Sequence, residues 1–169
     1  MRALTLTQPW CGLVAAGIKR IENRDRLVMH PRYNGARFAL HAGKMIDESV
    51  YRRIGEIAPE LFDGWDRAVK ESWPAWYRLS RITGAIIGVA SVDRVVSTEV
   101  DEPPEVGGGF DPTYGMGDQQ RWYFGPVGYM LTDIHVLTEP VRCAGYQWFW
   151  EVWPDLEASV AARLPMVAP

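Results

Sequence analysis

Cysteine, histidine and long apolar runs are scarce in this sequence of 169 residues. It has two cysteines, Cys11 and Cys143, and three histidines, and none of them falls in a Cys-x-x-Cys or His-Glu-x-x-His spacing. The sequence therefore predicts no metal site and no disulfide framework, and so few cysteines are typical of the reduced cytoplasm. No segment approaches the roughly 20 apolar residues that span a bilayer, so we expect a cytoplasmic protein without a membrane partner.

Motifs that cradle phosphates or present a nucleophile are also missing. The glycine run over 107–109 lacks the Lys-Ser or Lys-Thr pair of a phosphate-binding loop. No Gly-x-Ser-x-Gly turn, which presents the serine nucleophile of many hydrolases, is present either. These absences exclude dinucleotide, P-loop and serine-elbow chemistry, and we expect no cofactor.

Large apolar side chains, in contrast, are plentiful. The chain has eight Trp, seven Tyr and five Phe, and its hydrophobic content is 47%. This is enough apolar material to fill one sizeable core, and the chain is too short for two comfortable ones. Residues 1–169 are therefore predicted to form a single domain.

Strand-like and helix-like patterns alternate along the chain. Period-two alternation predicts strands over 2–7 and 37–42, and glycines suited to a curved sheet mark a longer strand over 82–97. Apolar residues at helical spacing predict short helices over 9–17 and 47–57. Further strands are expected over 129–137 and 141–143, helices over 147–152 and 155–163, and a partly helical Trp-rich stretch over 58–80. This mixture favours an α+β fold, a small mixed β-barrel with flanking short helices.

The net charge of −3 is divided unevenly along the chain. Residues 1–45 carry eight Lys or Arg and two acids, a surplus of +6, whereas 46–169 carry ten bases and nineteen acids, a surplus of −9. The basic part indicates an anionic partner, and the alternative is a basic face that balances acidic neighbours in the fold. Six acids and no base fall in the Gly- and Pro-rich segment 98–120, which is expected to be a long functional or mobile loop.

A compact charged motif follows the first predicted helix. Gly17 is placed to end that helix, and Lys19, Glu22 and Arg24 come within the next seven residues. Such a group offers cations for a phosphate and a carboxylate that accepts hydrogen bonds from an amine edge. A solvated charged turn with local ion pairs is the alternative interpretation.

The run Leu-Thr-Leu-Thr-Gln-Pro-Trp over 4–10 and the pattern Gly-x-Lys-x-x-Glu-x-Arg over 17–24 resemble the opening of an ASCH (activating signal cointegrator homology) domain, of the PUA-like superfamily. The segments 38–44, 86–92 and 128–131 resemble later strands of that family. The resemblance implies a PUA-like small mixed β-barrel with flanking short helices and a cleft lined by the Gly-x-Lys-x-x-Glu segment. In that family the cleft is proposed to bind RNA or another nucleic acid.

The resemblance thus predicts that the basic cleft binds RNA, another nucleic acid or a modified nucleoside. Lys19 and Arg24 would hold a phosphate or a base edge, and Glu22 would accept from an exocyclic amine. Trp10 and Trp122 are candidate stacking faces, and stacking on an aromatic ring is worth roughly 1–3 kcal/mol per base. For both tryptophans, and for a histidine on the second strand, a position in the core is the alternative. The predicted nucleic-acid-binding residues are Lys19, Glu22, Arg24, Trp10, His41 and Trp122.

Two other functions stay open at this point. Some small ASCH-like proteins resemble amidohydrolases that remove an acyl group from the exocyclic amine of cytidine, and Lys19 and Glu22 would then be the catalytic residues. Because Glu22 stands where those proteins have a threonine, the sequence leaves open whether the protein is an enzyme. Ribonuclease activity is attributed to other relatives, with Ser91 and Asp93 as candidates near Lys19. The third function is a protein-interaction adaptor that uses the Trp-rich region 65–76 or the terminal helices.

Overall fold

The computed structural model describes residues 1–25, 35–97 and 115–165, which form one mixed six-stranded sheet flanked by short helices. The strands are β1 (Arg2–Gln8), β2 (Ile21–Arg24), β3 (Arg37–Ile46), β4 (Ala85–Ser97), β5 (Val127–Arg142) and β6 (Phe149–Glu151). The α-helices are α1 (Trp10–Ala15), α2 (Ser49–Ile57), α3 (Ala75–Ser80) and α4 (Pro154–Ala161). Three 3₁₀ helices are described as well, Pro59–Phe62, Lys70–Ser72 and Gly117–Trp122. None of the described helices is long and apolar enough to cross a membrane.

The strands lie in the order β2-β5-β4-β3-β1-β6, and β1 and β3 are parallel while the other neighbours are antiparallel. This arrangement confirms the α+β class with short flanking helices. Among the described residues no backbone pairing joins the edge strands β2 and β6, so a closed barrel is not confirmed. The two edges nevertheless approach through side chains, because Arg24 at the end of β2 lies 5.5 Å from the ring centroid of Trp148, just before β6.

The long strands β4 and β5 carry glycines where a side chain would clash with a neighbouring residue. A Cβ at Gly88 would lie 2.8 Å from the carbonyl oxygen of His135, and one at Gly128 would lie 2.7 Å from Ile21 Cδ1. The β4–β5 register shifts between Ile86 and Gly88, as expected at a bulge that increases local curvature. Gly88, one of the glycines in the strand predicted over 82–97, therefore allows close backbone approach within the sheet.

The residue Gln8 connects the first strand to two helices. It is fully buried; its Nε2 donates to the carbonyls of Leu79 (3.0 Å) and Ile82 (2.6 Å), and its Oε1 accepts from the backbone of Gly12 (3.0 Å). Gly12 packs so closely on α3 that a Cβ there would lie 2.5 Å from the nitrogen of Ser80. The glutamine of the Gln-Pro-Trp run thus has a structural role, since it satisfies buried backbone groups.

Tryptophans of the stretch 58–80 pack inward beside this contact. Trp76 is buried, and the rings of Trp65 and Trp73 lie 4.7 Å and 4.9 Å from Tyr77. The stretch contains α3 and two of the 3₁₀ helices, so its predicted partial helicity agrees with the structure.

Three predicted elements differ from the structure. The helix expected over 147–152 is wrong, because β6 pairs there with β1 and alternates its side chains: Phe149 packs on Phe38, and Trp150 packs on the other face. The strands expected over 129–137 and 141–143 are one continuous strand, β5. Of the expected acidic loop 98–120, residues 98–114 lie outside the described residues, and Gly117–Trp122 is a 3₁₀ helix rather than loop.

Candidate functional site

The turn between α1 and β2 places the charged motif. Gly17 adopts a φ of +73°, a conformation that glycine takes without strain. The backbone nitrogens of Ile18 and Lys19 then donate to the carbonyl of Leu13, at 3.1 Å and 3.3 Å, which closes the end of α1. Two residues later the chain enters β2, which pairs with β5. The predicted helix stop at Gly17 therefore directs the following lysine back over the helix that precedes it.

Lys19 is buried although it carries an ammonium group. Its side chain is 1% exposed, and Nζ donates to the carbonyl of Ile21 and to Glu22 Oε2, which lies 3.4 Å away. The same Nζ lies 5.5 Å from the ring centroid of Trp10. Burial lowers the pKa of Lys19 below its usual value, and the charge of Glu22 opposes that shift in part. This lysine is therefore a partner of Glu22 and not a surface charge.

Glu22 lies between two cations. Its side chain is 9% exposed; Oε2 faces Lys19, and Oε1 lies 3.1 Å from Nη2 of Arg24. The Arg24 contact is an ion pair without hydrogen-bond geometry, and the buried Nε and Nη2 of Arg24 have no hydrogen-bond partner among the described residues. Trp148 covers the Arg24 guanidinium at 5.5 Å. A carboxylate acceptor thus sits beside donors that are not fully used, which is the chemistry of a site that recognises a polar edge.

Aromatic side chains form the wall beside this charged group. Trp10 lies 6.1 Å from Phe124 and 6.3 Å, edge to face, from the fully buried Trp122. Asn23 holds the segment in place, since its Nδ2 donates to the carbonyl of Trp122 and its Oδ1 accepts from the backbone nitrogen of Phe124, both at 2.8 Å. Asn23 on β2 therefore positions Phe124, and Trp122 supports Trp10 from behind.

These groups enclose a cavity of about 150 Å³. Cavities of about this size hold one benzene-sized ring. Above it, the guanidinium of Arg53 on α2 lies 4.2 Å from the ring centroid of Phe124. The cavity is lined by Trp10, Lys19, Glu22, Asn23, Arg53 and Phe124. It combines aromatic faces with a buried carboxylate, an ammonium group and a guanidinium.

The structure brings three of the predicted binding residues, Trp10, Lys19 and Glu22, to the cavity itself. Arg24 lies next to them and contacts Glu22. Trp122 is fully buried behind Trp10, so its ring is not an open stacking face in this conformation.

His41 lies elsewhere in the fold. It follows Ala39 on the face of the sheet that carries Trp150, and its ring contacts Thr5 Oγ1 (3.1 Å) and the carbonyl of Cys143 (3.4 Å). Gly145 packs on the ring so closely that a Cβ there would clash with it. Burial lowers the pKa of His41, which favours its neutral form. Its position matches the alternative of a core histidine with satisfied hydrogen bonds.

Three lining residues were missed by sequence reasoning. Asn23 stood within the charged motif, but its amide gave no signal that it would hold a segment about 100 positions later. Phe124 follows the candidate Trp122 in a run of aromatic residues, which was the one available hint. Arg53 gave none, because it lies on a helix that only the fold brings to the cavity. The ribonuclease candidates Ser91 and Asp93 do not line the described cavity.

Within residues 1–25, 35–97 and 115–165, no three His, Cys, Asp or Glu side chains come together as a metal-binding group. Comparison with known proteins by sequence gives nothing further. The chain matches no protein-family model and no curated protein.

Comparison by structure does identify the fold. The chain superposes on the crystal structure of ASCH from Zymomonas mobilis with a TM-score of 0.50 at 12% identity, over 99% of this chain and 97% of that chain. Crystal structures of two single-residue variants of that protein each give a TM-score of 0.47, at 9% and 12% identity, and each match covers 97% of this chain. Those matches cover 98% and 96% of the variants' own chains. The first match confirms an ASCH-like fold, and at this identity it speaks for the fold alone.

Proposed function

We propose that this chain, which has an ASCH-like fold, binds a nucleotide or a short single-stranded segment of RNA or another nucleic acid, with one base in the cavity. The observation that carries the proposal is the pairing of a ring-sized space with a buried charged floor. The space is about 150 Å³ and is lined by Trp10 and Phe124, while Lys19 and Glu22 form the floor. A flat heteroaromatic ring with donors and acceptors along its edge is the ligand that uses both features.

The charged floor would read the edge of the base. Glu22 accepts hydrogen bonds, so it suits an exocyclic amine or a ring N–H, and Lys19 and Arg24 suit neighbouring carbonyl or ring-nitrogen acceptors. Because these groups are buried, a base that leaves one of them without a hydrogen-bond partner binds more weakly. Such a floor therefore favours selectivity among bases as well as affinity.

The aromatic wall would supply stacking. Phe124 is 38% exposed and lies beside Trp10, which is partly buried. Stacking of a base on such a ring contributes about 1–3 kcal/mol, which corresponds to a factor of about 5 to 150 in affinity.

Removal of the wall tests the proposal. The ligands are the four ribonucleoside monophosphates and short single-stranded RNA and DNA homopolymers, and binding is measured by calorimetry and fluorescence anisotropy. Phe124→Ala is expected to weaken binding of the preferred ligand by about 5- to 150-fold through lost stacking. Trp153→Ala is the matched control, because Trp153 is an aromatic residue that is 53% exposed and does not line the cavity.

Two results would contradict the proposal. The first is a wild-type protein that binds none of these ligands at low salt. The second is an equal loss of affinity in the Phe124→Ala and Trp153→Ala variants when both melt at the wild-type temperature, since the cavity would then have no special role.

A second candidate, hydrolysis of an acyl group from the amine of a cytidine-type nucleoside, is favoured by the lowered pKa of Lys19. This reaction requires the deprotonated form of Lys19, which takes a proton from water as the water oxygen adds to the acyl carbonyl. The C–N bond then breaks, and Lys19 returns that proton to the departing cytidine nitrogen. The described cavity lining contains no hydroxyl or thiol, and burial and the charge of Glu22 raise the pKa of the nearby Cys11 thiol, so water is the nucleophile. Chromatography of N4-acetylcytidine and of RNA after incubation tests this candidate, and unchanged substrates would exclude it.

A further inference from the structure

Arg53 is an exposed cation at the cavity without an acidic partner. It lies in the middle of α2, and none of the described acids is within ion-pair distance of it. Three other arginines have acidic partners: Arg67 and Arg81 both contact Glu48, at 3.7 Å and 2.6 Å, and Arg121 contacts Glu60 at 2.5 Å. Arg52, the neighbour of Arg53 on α2, has no acidic partner among the described residues either. The charge of Arg53 is therefore available to a ligand.

Phe124 orients the guanidinium of Arg53. The guanidinium carbon lies 4.2 Å from the ring centroid, a distance typical of cation–π packing. This packing holds the guanidinium at the ring, and none of its N–H groups donates to a described residue. A planar fork of donors with a held orientation suits two oxygens of one phosphate group.

Arg53 also lines a second, larger space outside the cavity. This groove along α2 has a volume of about 530 Å³ and is lined by Asp47, Ser49, Val50, Arg52, Arg53 and Glu56. The cavity of about 150 Å³ has room for a ring but not for a ring with its sugar and phosphate. Because Arg53 lines both spaces, the part of the ligand that leaves the cavity on this side passes its guanidinium.

The charges of the groove limit what Arg53 can hold. The groove is lined by two arginines, Arg52 and Arg53, and by two carboxylates, Asp47 and Glu56. These charges balance, so the groove has no net positive charge that would attract a long polyanion. The Asp47 carboxylate is already engaged at the start of α2, since its Oδ1 accepts from the backbone nitrogen and the hydroxyl of Ser49. An anion is therefore favoured at the guanidinium edge of Arg53 and not along the whole groove.

We propose that Arg53 binds a phosphate group attached to the base in the cavity, so that the cleft takes nucleotides in preference to free nucleosides. This inference rests on the proposed function and adds the class of ligand. It makes Arg53 a specificity-determining residue, held in place by Phe124.

The test compares each nucleoside with its own phosphates. Adenosine, guanosine, cytidine and uridine, their 5′- and 3′-monophosphates, and inorganic phosphate alone are titrated by calorimetry into wild type, Arg53→Ala and Arg53→Lys. In wild type one monophosphate is expected to bind about tenfold more tightly than its nucleoside, the low end for hydrogen bonds to charged groups. Arg53→Ala is expected to lose this tenfold gain, and Arg53→Lys is expected to keep only part of it, because a lysine lacks the fork.

Arg78→Ala is the matched control, since Arg78 is an exposed arginine on α3 that lines none of the described cavities. It is expected to keep the full gain. If nucleosides bind but a phosphate adds nothing, or if Arg78→Ala loses as much as Arg53→Ala, the inference is overturned and the proposed function stands. If neither nucleosides nor nucleotides bind, the proposed function itself has failed.

Discussion

The buried charges of the cleft make a strong prediction about the stability of the fold. Glu22→Gln keeps the shape of the side chain and removes its charge. In the wild type, the two carboxylate oxygens serve different cations, with Oε2 3.4 Å from Lys19 Nζ and Oε1 3.1 Å from Arg24 Nη2. The substitution leaves the ammonium of Lys19, which is 1% exposed, without a counter-charge.

The magnitude follows from this geometry. Two unit charges 3.4 Å apart attract by about 5 kcal/mol at an effective dielectric constant of about 20. Removing one partner of a buried pair typically costs about 3–5 kcal/mol, because the other charge stays buried. We therefore expect Glu22→Gln to lower the free energy of unfolding by about 3–5 kcal/mol.

Substitution of the other partner of the pair, Lys19, is expected to lower the free energy of unfolding by less. Lys19→Met removes the buried ammonium, and Glu22 keeps Arg24 as its partner, so the expected loss is about 0–2 kcal/mol. The double variant is expected to recover most of the loss caused by Glu22→Gln, because no unpaired buried ammonium remains. The two single substitutions should therefore be unequal, with the carboxylate the more costly to lose.

Urea unfolding followed by circular dichroism at one pH and one salt concentration measures all four proteins. Glu139→Gln serves as the control, since Glu139 is 77% exposed and lies 3.9 Å from its arginine partner. That control should change stability by less than about 1 kcal/mol. The reasoning is refuted if Glu22→Gln costs no more than the control, or if Lys19→Met costs as much as Glu22→Gln.

Two further predictions concern buried polar groups. Gln8→Leu leaves the Ile82 carbonyl and the Gly12 nitrogen without their partner, whereas the Leu79 carbonyl still accepts from the backbone nitrogen of Ile82. The variant should lower the free energy of unfolding by at least about 2 kcal/mol in the same urea assay, and a loss below about 1 kcal/mol would contradict the bridging role of Gln8. Because burial lowers the pKa of Lys19 below 10.5 in the folded state, the unfolded chain binds more protons between the two pKa values. The stability of wild type relative to Lys19→Met should therefore rise with pH towards 10.5, and a difference that falls over that range would show the opposite shift.

Local patterns of the chain predicted its elements well where packing and periodicity agree. The first strand, the helix after it and the glycine that ends that helix follow from period-two alternation, helical spacing and a turn that favours glycine. The helix prediction for 147–152 was wrong because the apolar run Trp-Phe-Trp over 148–150 is equally compatible with a buried helix and a buried strand. The free edge of β1, which β6 pairs with, decides between them.

In the candidate site, too, local spacing predicted one part and tertiary packing decided the other. Lys19, Glu22 and Arg24 lie within six residues of one another, so their proximity was readable from the chain. Whether such a group is a solvated turn or a buried cluster depends on what covers it. Here Trp10 contacts Lys19, and Trp148 covers Arg24. Neither contact could be predicted, because each depends on how strands and helices pack and not on the local motif.

The sequence alone therefore determined the α+β class, a basic first segment and a charged motif after the glycine that ends α1, since backbone preference and short-range spacing specify these. Tertiary packing brings Phe124 and Arg53 to the cavity. Asn23 reaches Phe124 across 101 positions of sequence, and Arg53 on α2 reaches the same ring. Burial and long-range contact depend on how all the elements pack together. For that reason the tertiary structure alone turns the motif into a cavity with a charged floor.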